Sequence, residues 1–299
     1  MEVKVYVGGN RLNFEHFSAA LSVNRDYLKS EKTVYSPATR RTLKHVIKAI
    51  GLMKAGEDVD EIQESLSKPL GINPDTKTLL IIDSRLIGSN TRPYNQTFKT
   101  HKVGIFYKDI CKLFKGHNVR LYTEIKNPAT LAQDTYAEHV LGTNFDDFDT
   151  FLEPTNINDF RWSQFIHRIQ GKNNAIPTTI WRYEDYKYIW RDIIGAFSGV
   201  SNHQDLTDAP EIETTGISFQ GAQLFTKYTK EYPDLDAQSL AKVKDTFLRQ
   251  FPSTIDEGNT SYWSTDKVDI LRHSYGDDWY YIKRIENTEI IEPLNSDDI

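Results

Sequence analysis

Apolar residues along this chain fall into two rhythms. Four short runs, 3–7, 78–82, 119–125 and 178–182, are β-branched or apolar, end in turn chemistry and read as strands. Between them the apolar positions recur at helical spacing over 14–30, 39–55, 59–67, 103–115, 130–141, 162–170 and 186–197. Strands alternating with helices predict a doubly wound, mainly parallel α/β sheet flanked by helices, with ligands bound at the carboxyl ends of the strands. Past residue 200 the pattern turns polar and helical, over 218–231, 236–250 and 265–280, punctuated by Pro210, Pro233 and Pro252. The expected organisation is one domain, 1–299, made of an α/β core (1–200) and a mostly helical carboxyl-terminal extension (201–299) packed on it. The tail IEPLNSDDI is polar and is expected to fray.

Composition narrows the picture. A chain of 299 residues buries a substantial core without staples, and the single cysteine, Cys111, excludes an intramolecular disulfide and a cysteine-rich zinc site. A reducing, cytoplasmic compartment is the expectation. No run of about 18 apolar residues occurs, and the start MEVKVYVGG lacks a signal-type apolar segment, so membrane insertion is not expected. The formal charge of −6 argues against a general nucleic-acid binder, although Arg40, Arg41, Lys44 and Lys48 form a local basic group. The tyrosines and tryptophans of the second half, such as Trp181, Tyr183, Tyr186, Tyr188 and Trp190, read as core and polar-tipped rim.

Two stretches carry candidate chemistry. In VYVGGNRLNF (5–14) a strand ends in Gly8 and Gly9, passes Arg11 and turns into a helix, an arrangement that offers backbone N–H groups and a positive helix end to an anion. Neither GxxxxGK[ST] nor GxGxxG is satisfied, so a plain turn is an equal reading of this stretch alone. The second stretch, VRLYTEIKNPATLAQDTYAEH (119–139), is again strand, turn and helix, with Lys126 at the strand's end and Pro128 in the first helical turn, where its missing N–H is harmless.

Together these stretches resemble the sulfotransferase family, a P-loop-like α/β fold, and are most similar to its bacterial members. NRDYLKSEKTVYSP (24–37), TTIWRYEDYKYIWRDII (178–194) and VDILRHSYGDDWYYI (268–282) are similar to further family segments, in the same order. The resemblance implies transfer of a sulfuryl group from 3′-phosphoadenosine 5′-phosphosulfate (PAPS) to a hydroxyl or amine of a glycan or other small polar acceptor. It implies that Gly8, Gly9, Asn10, Arg11, Leu12 and Asn13 wrap the 5′-phosphosulfate. Lys126 and the helix position of Asp134 then correspond to the residues that hold the 3′-phosphate.

The residues also depart from the family pattern. Arg11 stands where the family has lysine, and it keeps the charge but donates no proton at neutral pH. Leu12, Phe14 and Glu15 replace hydroxyl or small residues. Lys126 replaces a forked arginine by a point charge, and Asp134 stands where the family has serine, leaving Thr130 or Thr135 as the nearest hydroxyls. Asp83, Ser84 and Arg85 stand where bacterial relatives carry Ser-Ser-Glu. The base that removes the acceptor's proton is then His16 or Asp83, with Arg11 offsetting charge on the bridging oxygen.

His45, His101, His117, His139 and His203 are scattered without metal-type spacing, so no metal is expected. The pairs Asp146/Asp147 and Asp277/Asp278 read as solvated faces or helix caps rather than glycosidase carboxylates. Three functions stay open: a PAPS-dependent transferase, a catalytically inactive module that keeps the fold to bind a partner or serve a structural role, and transfer from a different donor.

Overall fold

The computed structural model describes residues 1–8, 13–36, 40–82, 101–142, 145–153, 156–209, 216–253 and 262–293. Its centre is a six-stranded sheet of β1 (Glu2–Val7), β2 (Thr33–Ser36), β3 (Thr78–Ile82), β4 (Asn118–Ile125), β5 (Thr178–Arg182) and β6 (Thr288–Ile290). Every pairing is parallel and the order is β2-β3-β1-β4-β5-β6.

Alternation along the strands assigns each side chain to one of two cores. Val3, Val5 and Val7 of β1 join Leu79, Ile81, Leu121, Ile125 and Ile180 on one face. That face is covered by α3 (Arg40–Lys54), α4 (Val59–Leu70), α5 (His101–Leu113), α6 (Pro128–Val140), α7 (Phe148–Leu152) and α8 (Trp162–Gln170). Tyr6, Leu80, Ile82, Tyr122 and Trp181 point to the other face, under α1 (Phe14–Val23), α2 (Arg25–Ser30) and α9 (Tyr186–Ser198). The last turn of α9 leaves carbonyls without helical partners. Lys4 Nζ and Tyr122 Oη both donate to Ala196 O, at 2.9 Å each, and Thr33 Oγ1 donates to Ser198 O at 3.0 Å.

The carboxyl-terminal part supplies α10 (Phe219–Glu231), α11 (Ala237–Gln250) and α12 (Thr265–Ile282) on the first face, against α6 and α8. It is not wholly helical. β6 adds a sixth strand to the sheet, and beyond it Ile291 N–H donates to Ile180 O and Glu292 pairs with Lys283, so the first residues of the polar tail are docked.

All four expected strands and all ten expected helical stretches are present, with two revisions. The stretch 14–30 is two helices that meet at the buried Asn24, whose side chain donates to Ala20 O at 2.8 Å and bridges to Thr207, accepting from its N–H at 2.7 Å and donating to its O at 2.9 Å. Two strands also went unread, β2 and β6, each following a left-handed residue, Lys32 (φ 62°) and Asn287 (φ 56°). Among the described residues no helix is long and apolar enough to cross a membrane.

Candidate functional site

β1 and β4 are neighbours, yet their connections depart in opposite directions: β1 leads through α1 and α2 to β2 at one edge, and β4 leads through α6, α7 and α8 to β5 on the other side. Such a switch point is where open α/β sheets hold ligands, outside the carboxyl ends of the strands. Of the two stretches singled out in the sequence, Gly8 and Asn13 of the first and the Lys-Asn-Pro turn of the second lie at this point.

Gly8 is buried, and a Cβ there would run into the ring of Tyr6. That ring is fixed by stacking on Phe14, Phe17 and Trp181, with centroids 5.8, 4.5 and 6.0 Å away. Glycine at position 8 therefore has a packing reason of its own. Gly9, Asn10, Arg11 and Leu12 lie outside the described residues, as does Asp83.

Asn13, which ends the turn and precedes α1, is held by an internal carboxylate. Its backbone N–H donates to Glu124 Oε2 at 2.8 Å, and its side-chain amide donates to Glu124 Oε1 at 2.9 Å. Trp181 Nε1 supplies a third donor to Oε1 at 2.8 Å. Glu124 is 1% exposed, and burial pushes its pKa up to about 7, against the three donors and the Lys126 charge, which favour ionisation. The positive amino end of α1 thus faces a carboxylate of the protein's own, where an anionic ligand would otherwise be suited. Glu15, the nearby acid noted in the sequence, is exposed.

Lys126 is fixed from several sides. Asn127 accepts from Ala129 N–H and caps α6, with Pro128 as its first residue. Trp162 Nε1 donates to Lys126 O at 2.7 Å, and Tyr183 N–H donates to Ile125 O at 2.7 Å. The Lys126 ammonium lies 3.4 Å from the centroid of the Tyr183 ring and 2.7 Å from Asp134 Oδ2, two turns along α6. Lys126 is 6% exposed; burial acts to lower its pKa, but Asp134, Tyr183 and Glu184 override this and hold it above the usual lysine value. The alternative hydroxyls donate back into their own helix, Thr130 to Asn127 O and Thr135 to Leu131 O.

The turn after β5 closes the group. Glu184 accepts from Asn127 N–H at 2.8 Å and from Tyr275 Oη at 3.0 Å, while Arg182 grips the buried Asp185 through two hydrogen bonds of 2.7 and 3.1 Å. His16 is set apart in the α1–α9 layer, where Nδ1 shares a 2.9 Å hydrogen bond with Tyr186 Oη and the ring meets Tyr186 and Trp190 edge-on. Burial lowers its pKa, partly opposed by Asp208. The neutral imidazole this favours can accept a proton.

The structure brings together Gly8, Asn13, Lys126 and Asp134. Sequence reading passed over Glu124, whose signal was a lone acid inside the otherwise β-type run LYTEI. Several of the other histidines and acids have partners within the protein. His139 pairs with Asp146 at 3.1 Å, Asp147 pairs with Lys230 at 2.5 Å, and Asp278 accepts from Ser163 N–H at the start of α8. Among the described residues no three His, Cys, Asp or Glu side chains form a group able to hold a metal ion. Compared with family models, with curated proteins and with solved structures, the chain matches none.

Proposed function

We propose that the chain is a sulfotransferase-like protein that acts as a binding or structural module, its nucleotide crevice closed by its own carboxylates. The observation that carries this reading is the Lys126–Asp134 pair: the cation expected to meet a 3′-phosphate is buried, stacked on Tyr183 and already neutralised at 2.7 Å. A phosphate entering here meets Asp134 as a like charge, and removing Lys126 from its partner strands a buried ammonium. Glu124 on Asn13 repeats the arrangement at the other turn.

Isothermal titration calorimetry with 3′-phosphoadenosine 5′-phosphate tests it. The expected result is no heat with the natural protein at millimolar nucleotide, and measurable binding once Asp134→Ser frees the cation. Thermal unfolding of Asp134→Ser without ligand separates lost fold from lost binding.

A second reading, PAPS-dependent sulfuryl transfer, draws support from the meeting of both turns at the switch point. In it the turn 8–13 holds the 5′ side, Lys126 displaces Asp134 onto the 3′ side, and His16 or Asp83 takes the acceptor's proton. Micromolar binding by the natural protein favours this reading.

A further inference from the structure

A second concavity lies at the opposite, amino-terminal end of the sheet. It is a cavity of about 1120 Å³, above the usual range for small-molecule sites, bounded by the end of α3, the start of α4, α5, the start of β4, the end of α8 and the segment before β5. Its walls are Met53, Val59, Val119, Ile176 and Pro177, joined by Cys111. All but the buried Ile176 are half-buried. Burial pushes the Cys111 thiol up to about 11, so this wall carries no charge at neutral pH.

The rim has the opposite character. Lys108, Lys112, Lys115, Arg168 and Lys172 line it, and no carboxylate does among the described residues. Among the described residues none of the five takes part in an ion pair. Five unpaired cations around one apolar opening, on a chain of net charge −6, are a local reversal of sign. The wall also holds an unmet polar atom. Gln170 is fully buried, and its Nε2 donates to Glu286 O, Asn287 O and Thr288 Oγ1 while its Oε1 has no partner.

We propose that this cavity binds a single-chain anionic amphiphile, its hydrocarbon chain against Val59, Val119, Ile176 and Pro177 and its acidic head among the rim cations. Charge complementarity selects the head, because a zwitterionic or neutral head leaves the five cations unanswered. The apolar wall selects the chain, because an inorganic anion gains nothing from it.

Cys111 is the chain's single cysteine and stands in the cavity wall, so its reaction with a thiol reagent reports on this site alone. The experiment measures the rate of that reaction with dodecanoate, dodecyl phosphate, dodecanol or inorganic phosphate added below any micelle-forming concentration. Dodecanoate and dodecyl phosphate are expected to slow it at least fivefold at saturation, with dodecanol and inorganic phosphate ineffective. Which of the two anions protects at the lower concentration distinguishes a carboxylate from a phosphate head. Lys112→Glu with Arg168→Glu is expected to raise the half-protecting concentration at least tenfold, protection in each protein being measured against its own unprotected rate. Equal protection by dodecanol, or undiminished protection in the charge-reversed variant, overturns the role of the rim. No protection by either anion overturns the proposal. Protection by an acidic peptide such as polyglutamate, without protection by dodecanoate, assigns the surface to a protein partner instead and also overturns it.

Discussion

Replacing Glu124 by glutamine tests the clamp on the β1 turn. The carboxylate is fully buried, and its pKa is pushed from an ordinary 4.5 up to about 7. A raised carboxyl pKa means that the folded state holds the proton more tightly than the unfolded chain. The contribution of Glu124 is therefore most favourable below the unfolded value and declines as pH rises from about 4.5 through 7. Integrated between pH 5 and pH 8, the decline amounts to about 2 to 3 kcal/mol. Glutamine does not titrate, and it resembles the protonated acid in turning one N–H or O–H donor toward the donors it faces. The variant and the natural protein should accordingly be of similar stability at pH 5, with the variant gaining by about 2 to 3 kcal/mol at pH 8. Urea unfolding at four pH values measures the difference directly, and the comparison cancels other titrating groups. The gain has a counterpart in the turn. Asn13 N–H, which donates to Glu124 Oε2 at 2.8 Å, loses its acceptor, so its hydrogen exchange should accelerate in the variant at pH 8. A stability difference that does not move with pH, or that moves the other way, refutes this reasoning.

Gly8→Ala is expected to destabilise by about 1 to 3 kcal/mol, since the new methyl meets the stacked Tyr6 ring, and Tyr6→Leu in the same chain should recover part of the loss; urea midpoints of the three proteins decide it. His16, whose pKa burial lowers, contributes stability that is present above the unfolded value near 6.5 and lost as pH falls through the lower folded value. His16→Leu should therefore lose less stability than the natural protein on acidification, and an NMR titration should find the imidazole of His16 below 6.5, moving when Tyr186→Phe removes its 2.9 Å partner.

The sheet was legible where strands are long enough to show their alternation. The run VKVYV declares β1, and the spacing of Ile189, Ile193 and Phe197 declares α9. β2 and β6 were not legible because four and three residues are too short for a pattern, although Asn287, of a type that tolerates a left-handed turn, stands directly before β6. The Asn24 break was hidden for a different reason: Asn24 is bound to a loop 183 residues away. In the site, the family resemblance drew attention to Lys126 and Asp134 as separate positions, both anticipated as phosphate neighbours. Their pairing follows from two facts in three dimensions, the place of Asp134 two turns into α6 and the Tyr183 ring against Lys126. Glu124 escaped notice because a lone acid in a strand reads as a surface residue until its partners, Asn13 and Trp181, arrive from 111 and 57 residues away.

The central claim is that Lys126 belongs to Asp134 and not to a nucleotide. Its ammonium lies 3.4 Å from the centroid of the Tyr183 ring, so its neighbouring methylene protons carry a ring-current shift that sets this lysine apart from the rest. The most direct measurement is the NMR spectrum of lysine-labelled protein during titration with 3′-phosphoadenosine 5′-phosphate to millimolar concentration. The shifted Lys126 resonances are expected to stay in place in the natural protein and to move only in Asp134→Ser. A saturable displacement of those resonances in the natural protein contradicts it.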